Sequence, residues 1–129
     1  MKNNFSPGDQ KVFRRIITPE DQAAFHGAVL HAVYSTFALA RDFEWSSRLF
    51  FIDMMEADEE GCGTFVHVDH KNPAFVGEEI TITATVETIR GNELICTIEG
   101  KVDDRIIAVG RTGQKMLKRE RLIALFTKP

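Results

Sequence analysis

Residues 36–57, TFALARDFEWSSRLFFIDMMEA, decide the fold because they hold neither glycine nor proline and carry a helical apolar stripe. Ser46 or Ser47 fills the one skipped step of that stripe, which consists of Leu39, Phe43, Phe50 and Met54. Ser35 and Thr36 offer an N-cap, and the acidic run 56–60 followed by Gly61 predicts the helix end. A single long helix cannot bury such a stripe alone, so a second layer must cover it.

The sequence after this helix alternates apolar and polar residues, which is typical of strands with one buried face. Residues 79–87, EITITATVE, follow a period of two and are rich in β-branched side chains. Turn sequences at 90–93 and 103–104 predict that the last three strands form an antiparallel meander. The predicted strands of this half cover residues 62–70, 79–87, 94–102 and 105 to about 117.

The segment before the helix predicts a first strand over residues 11–17. Thr18 and Pro19, with acids in the next turn, predict a short helix that ends near Gly27, while residues 28–34 fit either helix or strand. The chain of 129 residues has the length of one domain. We therefore expect a single α+β domain over residues 1–129, with a long central helix against an antiparallel sheet. The uncovered face and edges of that sheet favour a dimer.

Composition and charge exclude several classes of protein. Hydrophobic residues make up 43% and charged residues 27%, as in folded globular chains rather than disordered ones. The longest apolar run is only residues 122–126, so no membrane span and no membrane partner are predicted. The first eight residues lack an apolar run, so no signal peptide is expected. The net charge of −3, with one dense basic cluster near the C-terminus, argues against a nucleic-acid partner.

The two cysteines, Cys62 and Cys96, fit a reducing cytoplasm better than a disulfide scaffold. They lack the paired spacing of a zinc site, and the four histidines form no metal-binding motif with them. We therefore expect a cytoplasmic protein without a bound metal.

Two titratable side chains stand out as candidates for chemistry. His70 ends the strand 62–70 on its more apolar face, together with Val66 and Val68, where it could meet a ligand or bond a backbone carbonyl as a structural imidazole. Glu44 lies beside the apolar stripe of the helix. Small residues one turn away could open a cavity at its carboxylate, making it a general base, or it could be an ordinary solvated helix residue.

Thr36 and Gly63 are the other two candidates. Thr36 is either a helix cap or a hydroxyl that serves a site. It lies about 12 Å of helix rise before Glu44, so the two could act together only if Thr36 sits on the entering loop or one comes from a second protomer. Gly63 is either a simple turn residue or a point of close backbone approach whose N–H meets a ligand oxygen.

These segments together resemble the hotdog-fold acyl-CoA thioesterases, and within them the fluoroacetyl-CoA thioesterase-like branch. Residues 33–45 resemble the Thr-to-Glu-Trp helix entry of that branch, 63–70 its Gly-Thr…His strand, 73–78 the following loop and 91–94 its hairpin turn. The Thr–Glu interval of 8 and the Glu–His interval of 26 are also similar. The resemblance implies the hotdog fold, with catalytic residues Thr36, Glu44 and His70 and the backbone of Gly63 on the oxyanion side.

The same resemblance implies hydrolysis of an acyl-CoA to a carboxylic acid and CoA at a site between protomers. The partners would be an acyl-CoA substrate and a second copy of the chain, in a homodimer or tetramer, with no cofactor apart from the substrate's CoA. Cations that could meet the CoA phosphates, unless they belong to a solvated tail, are Arg111, Lys115, Lys118 and Arg119. A His-x-Arg pattern of the fluoroacetyl enzyme is absent from residues 113–116, GQKM. The resemblance therefore does not identify the acyl group of the substrate.

Two other functions remain open at this point. The chain could be a non-catalytic hotdog protein that binds an acyl-CoA or another acyl ligand. An enoyl-CoA hydratase-like enzyme would instead need an Asp–His pair, and Asp69 adjoins His70. Strand alternation, however, points those two neighbouring side chains to opposite faces.

Overall fold

The long helix, α1, covers Thr36–Met54 in a computed structural model that describes all of residues 1–129. Its predicted stripe is confirmed, because the side chains of Leu39, Phe43, Phe50 and Met54 are all fully buried. Ser35 is the N-cap, and its hydroxyl accepts a hydrogen bond from the Ala38 N–H at 2.9 Å. The helix ends before residue 57, and Gly61 is not its cap but part of the following strand.

The chain also forms seven strands, five in a main sheet and two in a separate hairpin. They are β1 (Gln10–Ile16), β2 (Gln22–Phe25), β3 (Ala28–Tyr34), β4 (Glu59–His70), β5 (Glu79–Arg90), β6 (Glu93–Val102) and β7 (Arg105–Lys118). The main sheet is antiparallel and has the order β1-β5-β6-β7-β4. The predicted α+β class and the β5–β7 meander are confirmed. Strand β4 pairs with β7 rather than with β5, so β4 and β1 are the two edges of the sheet.

The core lies between α1 and one face of the main sheet. On β5 the apolar residues of the alternating pattern, Ile80, Ile82, Ala84 and Val86, point inward and are buried. They pack with the α1 stripe in one cluster of 20 buried residues. Their burial removes apolar surface from water at about 25 cal/mol per Å², so this two-layer contact is the main source of stability.

The predicted short helix after Thr18 is wrong, because only Pro19–Asp21 form one 3₁₀ turn. The chain then makes the hairpin of β2 and β3, a separate two-stranded sheet. His26 and Gly27 both have positive φ values, 52° and 80°. Such a pair of residues builds the two-residue turn that joins antiparallel strands, which explains why the helix does not continue. The hairpin leaves Phe25, Val29 and Leu30 exposed.

A second helix, α2, covers Arg119–Phe126 and was not predicted. The basic segment at its start is therefore not a free solvated tail. Lys118 pairs with Asp58 at 3.0 Å, and the Arg119 guanidinium donates to the carbonyl of Ala57 at 3.0 Å. Leu122 is the one buried side chain of α2. Neither helix combines the length and apolar character that a membrane crossing requires.

Candidate functional site

A bulge in β4 brings Gly63 and His70 to the same face of the sheet. By simple alternation these residues would face opposite ways, but the register with β7 shifts at Thr64. A Cβ atom at Gly63 would collide with the Glu44 carboxylate of α1. Val68 packs against the core on the same side as His70. The bulge therefore turns both ends of this candidate site toward α1.

The first half of the site is a contact between Thr36 and His70. The Thr36 Oγ1 atom lies 2.9 Å from His70 Nδ1, at the start of α1. Thr36 is free for this contact because Ser35 caps the helix in its place. The Nε2 atom of His70 is buried and has no hydrogen-bond partner. The ring is thus held through one nitrogen, while the other can serve a ligand.

The second half of the site is the packing of Glu44 on Gly63. The Glu44 carboxylate lies directly over the Gly63 backbone, in space that any larger residue would fill. Gly63 is exposed and Glu44 is half-buried. The carboxylate makes neither a hydrogen bond nor an ion pair within the protomer, although its own helix turn is well fixed. Its oxygens are therefore available to a substrate or to water.

Gln114 fixes that helix turn, and sequence reasoning missed it. It is buried on β7 directly opposite Gly63. Its Nε2 donates to the Glu44 carbonyl at 3.1 Å and to the Ser47 hydroxyl at 2.7 Å. Ser47 in turn donates to the Glu44 carbonyl at 3.0 Å. The only sequence signal was that Gln114 lies in the stretch 113–116, where the fluoroacetyl enzyme has its His-x-Arg pattern. The sequence did not predict that β4 pairs with β7, so the position of Gln114 opposite Gly63 could not be derived.

One protomer does not bring the two halves together. Gly63 and His70 are six ladder steps apart on β4 once the bulge residue Thr64 is left out, which corresponds to about 20 Å of strand. Thr36 and Glu44 are separated by about 12 Å along α1, as the sequence indicated. The four predicted residues therefore form two pairs at opposite ends of one edge strand.

A cavity of about 490 Å³ opens beside Gly63, between β4 and α2. Its apolar wall comes from Leu122, Ile123 and Phe126, and Arg48 reaches it from α1 while donating to the Gly61 carbonyl at 2.9 Å. This volume suits a small ligand. A larger cavity of about 740 Å³ lies among polar side chains away from both halves, so its size does not mark it as the site.

The other predicted groups fall into two sets. Arg111 is tied to Glu87 by a 2.6 Å ion pair, whereas Lys115 is exposed and makes none. The pKa of the Arg111 guanidinium is raised by the hydrogen bond and the charge of Glu87. Asp69 lies 3.4 Å from His67 on the exposed face, so the Asp–His pair expected of a hydratase does not form with His70.

The antiparallel sheet packed on one long helix defines a hotdog-fold protein. A family model, FlK, fluoroacetyl-CoA-specific thioesterase, matches residues 17–120. The chain belongs to this thioesterase family. Among proteins with curated functions, none matches the sequence.

Solved structures agree with this fold. A hypothetical protein of Thermus thermophilus, described as a thioesterase superfamily member, is 29% identical, with 96% of this chain and 92% of that chain covered and a TM-score of 0.91. The fluoroacetyl-CoA thioesterase FlK is 18% identical, with coverage of 98% and 100% and a TM-score of 0.89. A hot-dog-like protein from Thermanaerovibrio acidaminovorans is 17% identical, with coverage of 97% and 96% and a TM-score of 0.84.

Proposed function

We propose that the protein is a thioesterase that hydrolyses a short-chain or other small acyl-CoA to a carboxylic acid and CoA. The site is shared between two protomers, with Glu44 and Gly63 from one and Thr36 and His70 from its partner. The observation that carries this proposal is the division of the four residues into two pairs at opposite ends of β4. Each pair lacks what the other holds, a free carboxylate in one case and a free imidazole nitrogen in the other.

The open edge of β4 supports a dimer of the required geometry. Because Thr64 is the extra residue of the bulge, two copies of β4 paired antiparallel about a two-fold axis at His67 would place Gly63 of each protomer opposite the partner's His70. Such pairing would also cover an edge that otherwise invites association. The apolar residues that α1 leaves exposed would add to the interface; these are Phe37, Trp45 and Ile52.

The chemistry follows from the atoms that this arrangement makes available. Glu44 takes a proton from water as the water attacks the thioester carbonyl, or attacks that carbon itself to form an anhydride that water then hydrolyses. The Gly63 N–H donates to the developing oxyanion, a contact typically worth about 3 kcal/mol. The His70 imidazole, held by Thr36, polarises the carbonyl or returns a proton to the departing CoA thiolate.

The surroundings of Gly63 support a small acyl group on a CoA thioester. The cavity between β4 and α2 adjoins the carbonyl position and has one apolar wall. Lys115, near the end of β7, is exposed and unpaired and offers positive charge to the CoA phosphates, whereas Lys118 is paired with Asp58 and Arg119 is bound to backbone carbonyls. The match to a CoA thioesterase family supports the same substrate class.

The direct test is thiol release from a panel of acyl-CoAs, from acetyl to palmitoyl with fluoroacetyl and aromatic groups included. Both cysteines are free thiols, so an enzyme-only blank is needed; burial raises the pKa of the Cys96 thiol to about 12, and the half-buried Cys62 should be the more reactive of the two. Turnover of at least one small acyl-CoA is expected. Binding without turnover across the panel would favour the non-catalytic acyl-ligand protein instead.

Gly63→Ala should abolish most activity without unfolding the protein. The new methyl group would meet the flexible end of Glu44, which can swing away at little cost in stability. Because that movement misplaces the carboxylate, we expect kcat to fall about 100-fold. The melting temperature should change by only a few degrees. Steady-state thiol release and thermal unfolding measure the two effects.

Gly61→Ala is the matched control for this variant, two positions earlier on the same face. Its Cβ would lie 2.6 Å from the ring of Phe51, a buried core residue that cannot move away freely. We expect a loss of about 1–3 kcal/mol in stability from this overpacking, with a smaller loss of kcat. Equal activity losses in the two variants would count against a specific role for Gly63.

A further inference from the structure

An ion-pair network joins the base of the β2–β3 hairpin to α1, with two buried carboxylates, the partly buried Arg15 and the exposed Arg41. Asp21 and Asp42 are only 1% and 4% exposed. Arg15 bridges them, with Nη2 at 2.6 Å from Asp21 and Nη1 at 2.9 Å from Asp42. Arg41 contacts the same two carboxylates, at 2.8 and 3.1 Å. The phenol of Tyr34, which is fully buried, donates to Asp42.

Stability alone does not account for these charges. Burial disfavours the ionised form of Asp21, but hydrogen bonds from Arg15, the Thr18 N–H and Arg41 outweigh burial and hold the pKa of that carboxyl well below its usual value. Buried ion pairs of this kind are often no more stabilising than apolar residues of similar volume, because desolvation offsets their attraction. What distinguishes this network is the set of groups that it joins, because its hydrogen bonds link β1, the turn before β2, the end of β3 and α1.

The geometry that it fixes is that of residues 34–36. The Asp21 carbonyl accepts a hydrogen bond from the Ser35 N–H at 2.8 Å. The Tyr34 N–H donates to the Ala74 carbonyl at 2.8 Å, on the loop that follows His70. The Tyr34 side chain is held on α1 by Asp42. The backbone before Thr36 is therefore fixed from three elements, and Thr36 is the residue that contacts His70.

We propose that Tyr34 and Asp42 are positioning residues, which act through Thr36 to hold the Thr36 hydroxyl on His70 Nδ1. The kinetic part of this inference rests on the proposed function, whereas the effect on His70 does not. Neither side chain needs to touch the substrate. Tyr34→Phe is the variant of choice, because it keeps the aromatic ring in the core and removes only the phenol bond to Asp42.

A double-mutant cycle tests whether Tyr34 acts through Thr36. Tyr34→Phe alone should lower kcat about 10-fold with KM within about twofold, since a small misplacement of a catalytic group is costly. In the Thr36→Ala background the same change should lower kcat by less than about twofold, because the group it positions is already gone. Asp42→Asn should behave in the same way, with a larger loss of melting temperature.

The ¹⁵N shifts of the His70 ring provide a readout that does not require turnover. In the free protein, Tyr34→Phe should move the Nδ1 shift toward the value found in Thr36→Ala. Ile98→Val, a core change on β6 far from this network, is the control for stability. It should lower the melting temperature without changing kcat or the His70 shifts.

Two results would overturn the inference. One is a Tyr34→Phe protein that behaves like Ile98→Val, with reduced stability but unchanged kcat and unchanged His70 shifts. The other is a cycle in which the effects of Tyr34→Phe and Thr36→Ala on kcat simply multiply. If no acyl-CoA is hydrolysed at all, the proposed function fails, and the His70 shifts still decide whether Tyr34 positions Thr36.

Discussion

Glu44→Gln should lower kcat for acyl-CoA hydrolysis by about 10²- to 10⁴-fold, the usual contribution of a general base. The amide has the size of the carboxylate but can neither accept a proton from water nor attack the thioester. Because the Glu44 carboxylate makes no hydrogen bond or ion pair in the protomer, its loss should leave the fold intact. KM should change little, since the proposed role concerns the reaction rather than substrate binding.

Asp53→Asn is the matched control for Glu44→Gln. Asp53 is another carboxylate of α1, but it is exposed and pairs with Lys11 at 2.6 Å on the surface. A surface pair of this kind contributes at most about 1 kcal/mol to stability, and kcat should remain at the wild-type value. Full turnover by a folded Glu44→Gln protein would remove Glu44 from the catalytic set.

His70→Ala should produce a loss of similar size, about 10²-fold or more in kcat. The change removes the whole imidazole. The buried Nε2 atom, which has no partner in its own protomer, is lost together with the Nδ1 atom that Thr36 contacts. Thiol release with a good substrate from the panel measures the loss, and circular dichroism checks the fold.

His67→Ala is the control for His70→Ala, three residues earlier on β4. His67 is exposed on the opposite face, and its ring pairs with Asp69 at 3.4 Å. We expect activity close to that of the wild type, with dimer formation checked because His67 lies near the proposed axis. Comparable losses in both histidine variants would point to damage of β4 rather than to chemistry at His70.

Local patterns were enough to predict the central elements of the fold. The α1 stripe and the alternation of β5 each depend on residues that are close in sequence, and both are buried as expected. The pairing of β4 with β7 joins residues about 40 or more positions apart and has no local signature. Strand β2 and the hairpin turn were predicted as a short helix, because Thr18 and Pro19 can start a turn of either kind, while the prediction for β3 was open between helix and strand.

The candidate site shows the same limit. Residue patterns singled out Thr36, Glu44, His70 and Gly63 as candidates with open alternatives, and the resemblance implied their catalytic roles, which remain predictions. The contact of Thr36 with His70 could be anticipated only through that resemblance, since 34 residues separate the two. The alternation predicted for residues 65–70 is confirmed, but the bulge at Thr64 has no local signature, so the sequence did not predict that Gly63 shares the face of His70. Gln114 became visible only once the register placed it opposite Gly63.

The central claim is that Glu44 of one protomer works with the partner's His70. Mixing two inactive proteins, Glu44→Gln and His70→Ala, tests it most directly, after unfolding and refolding together. In the proposed arrangement a mixed dimer carries both changes in one site and neither in the other. Since half of the dimers are mixed at equal input, about one quarter of wild-type activity should return.

The control mixture combines Thr36→Ala with His70→Ala, whose changes fall in the same half of the site. Every site of its mixed dimers still contains one of the two substitutions, so the activity of the mixture should not rise above that of the parent proteins. Differently sized affinity tags allow the mixed dimers to be isolated and counted. Recovery of activity in the isolated Glu44→Gln/His70→Ala dimer is the result that the account predicts. Mixed dimers that form but stay as inactive as their parents would contradict the shared site.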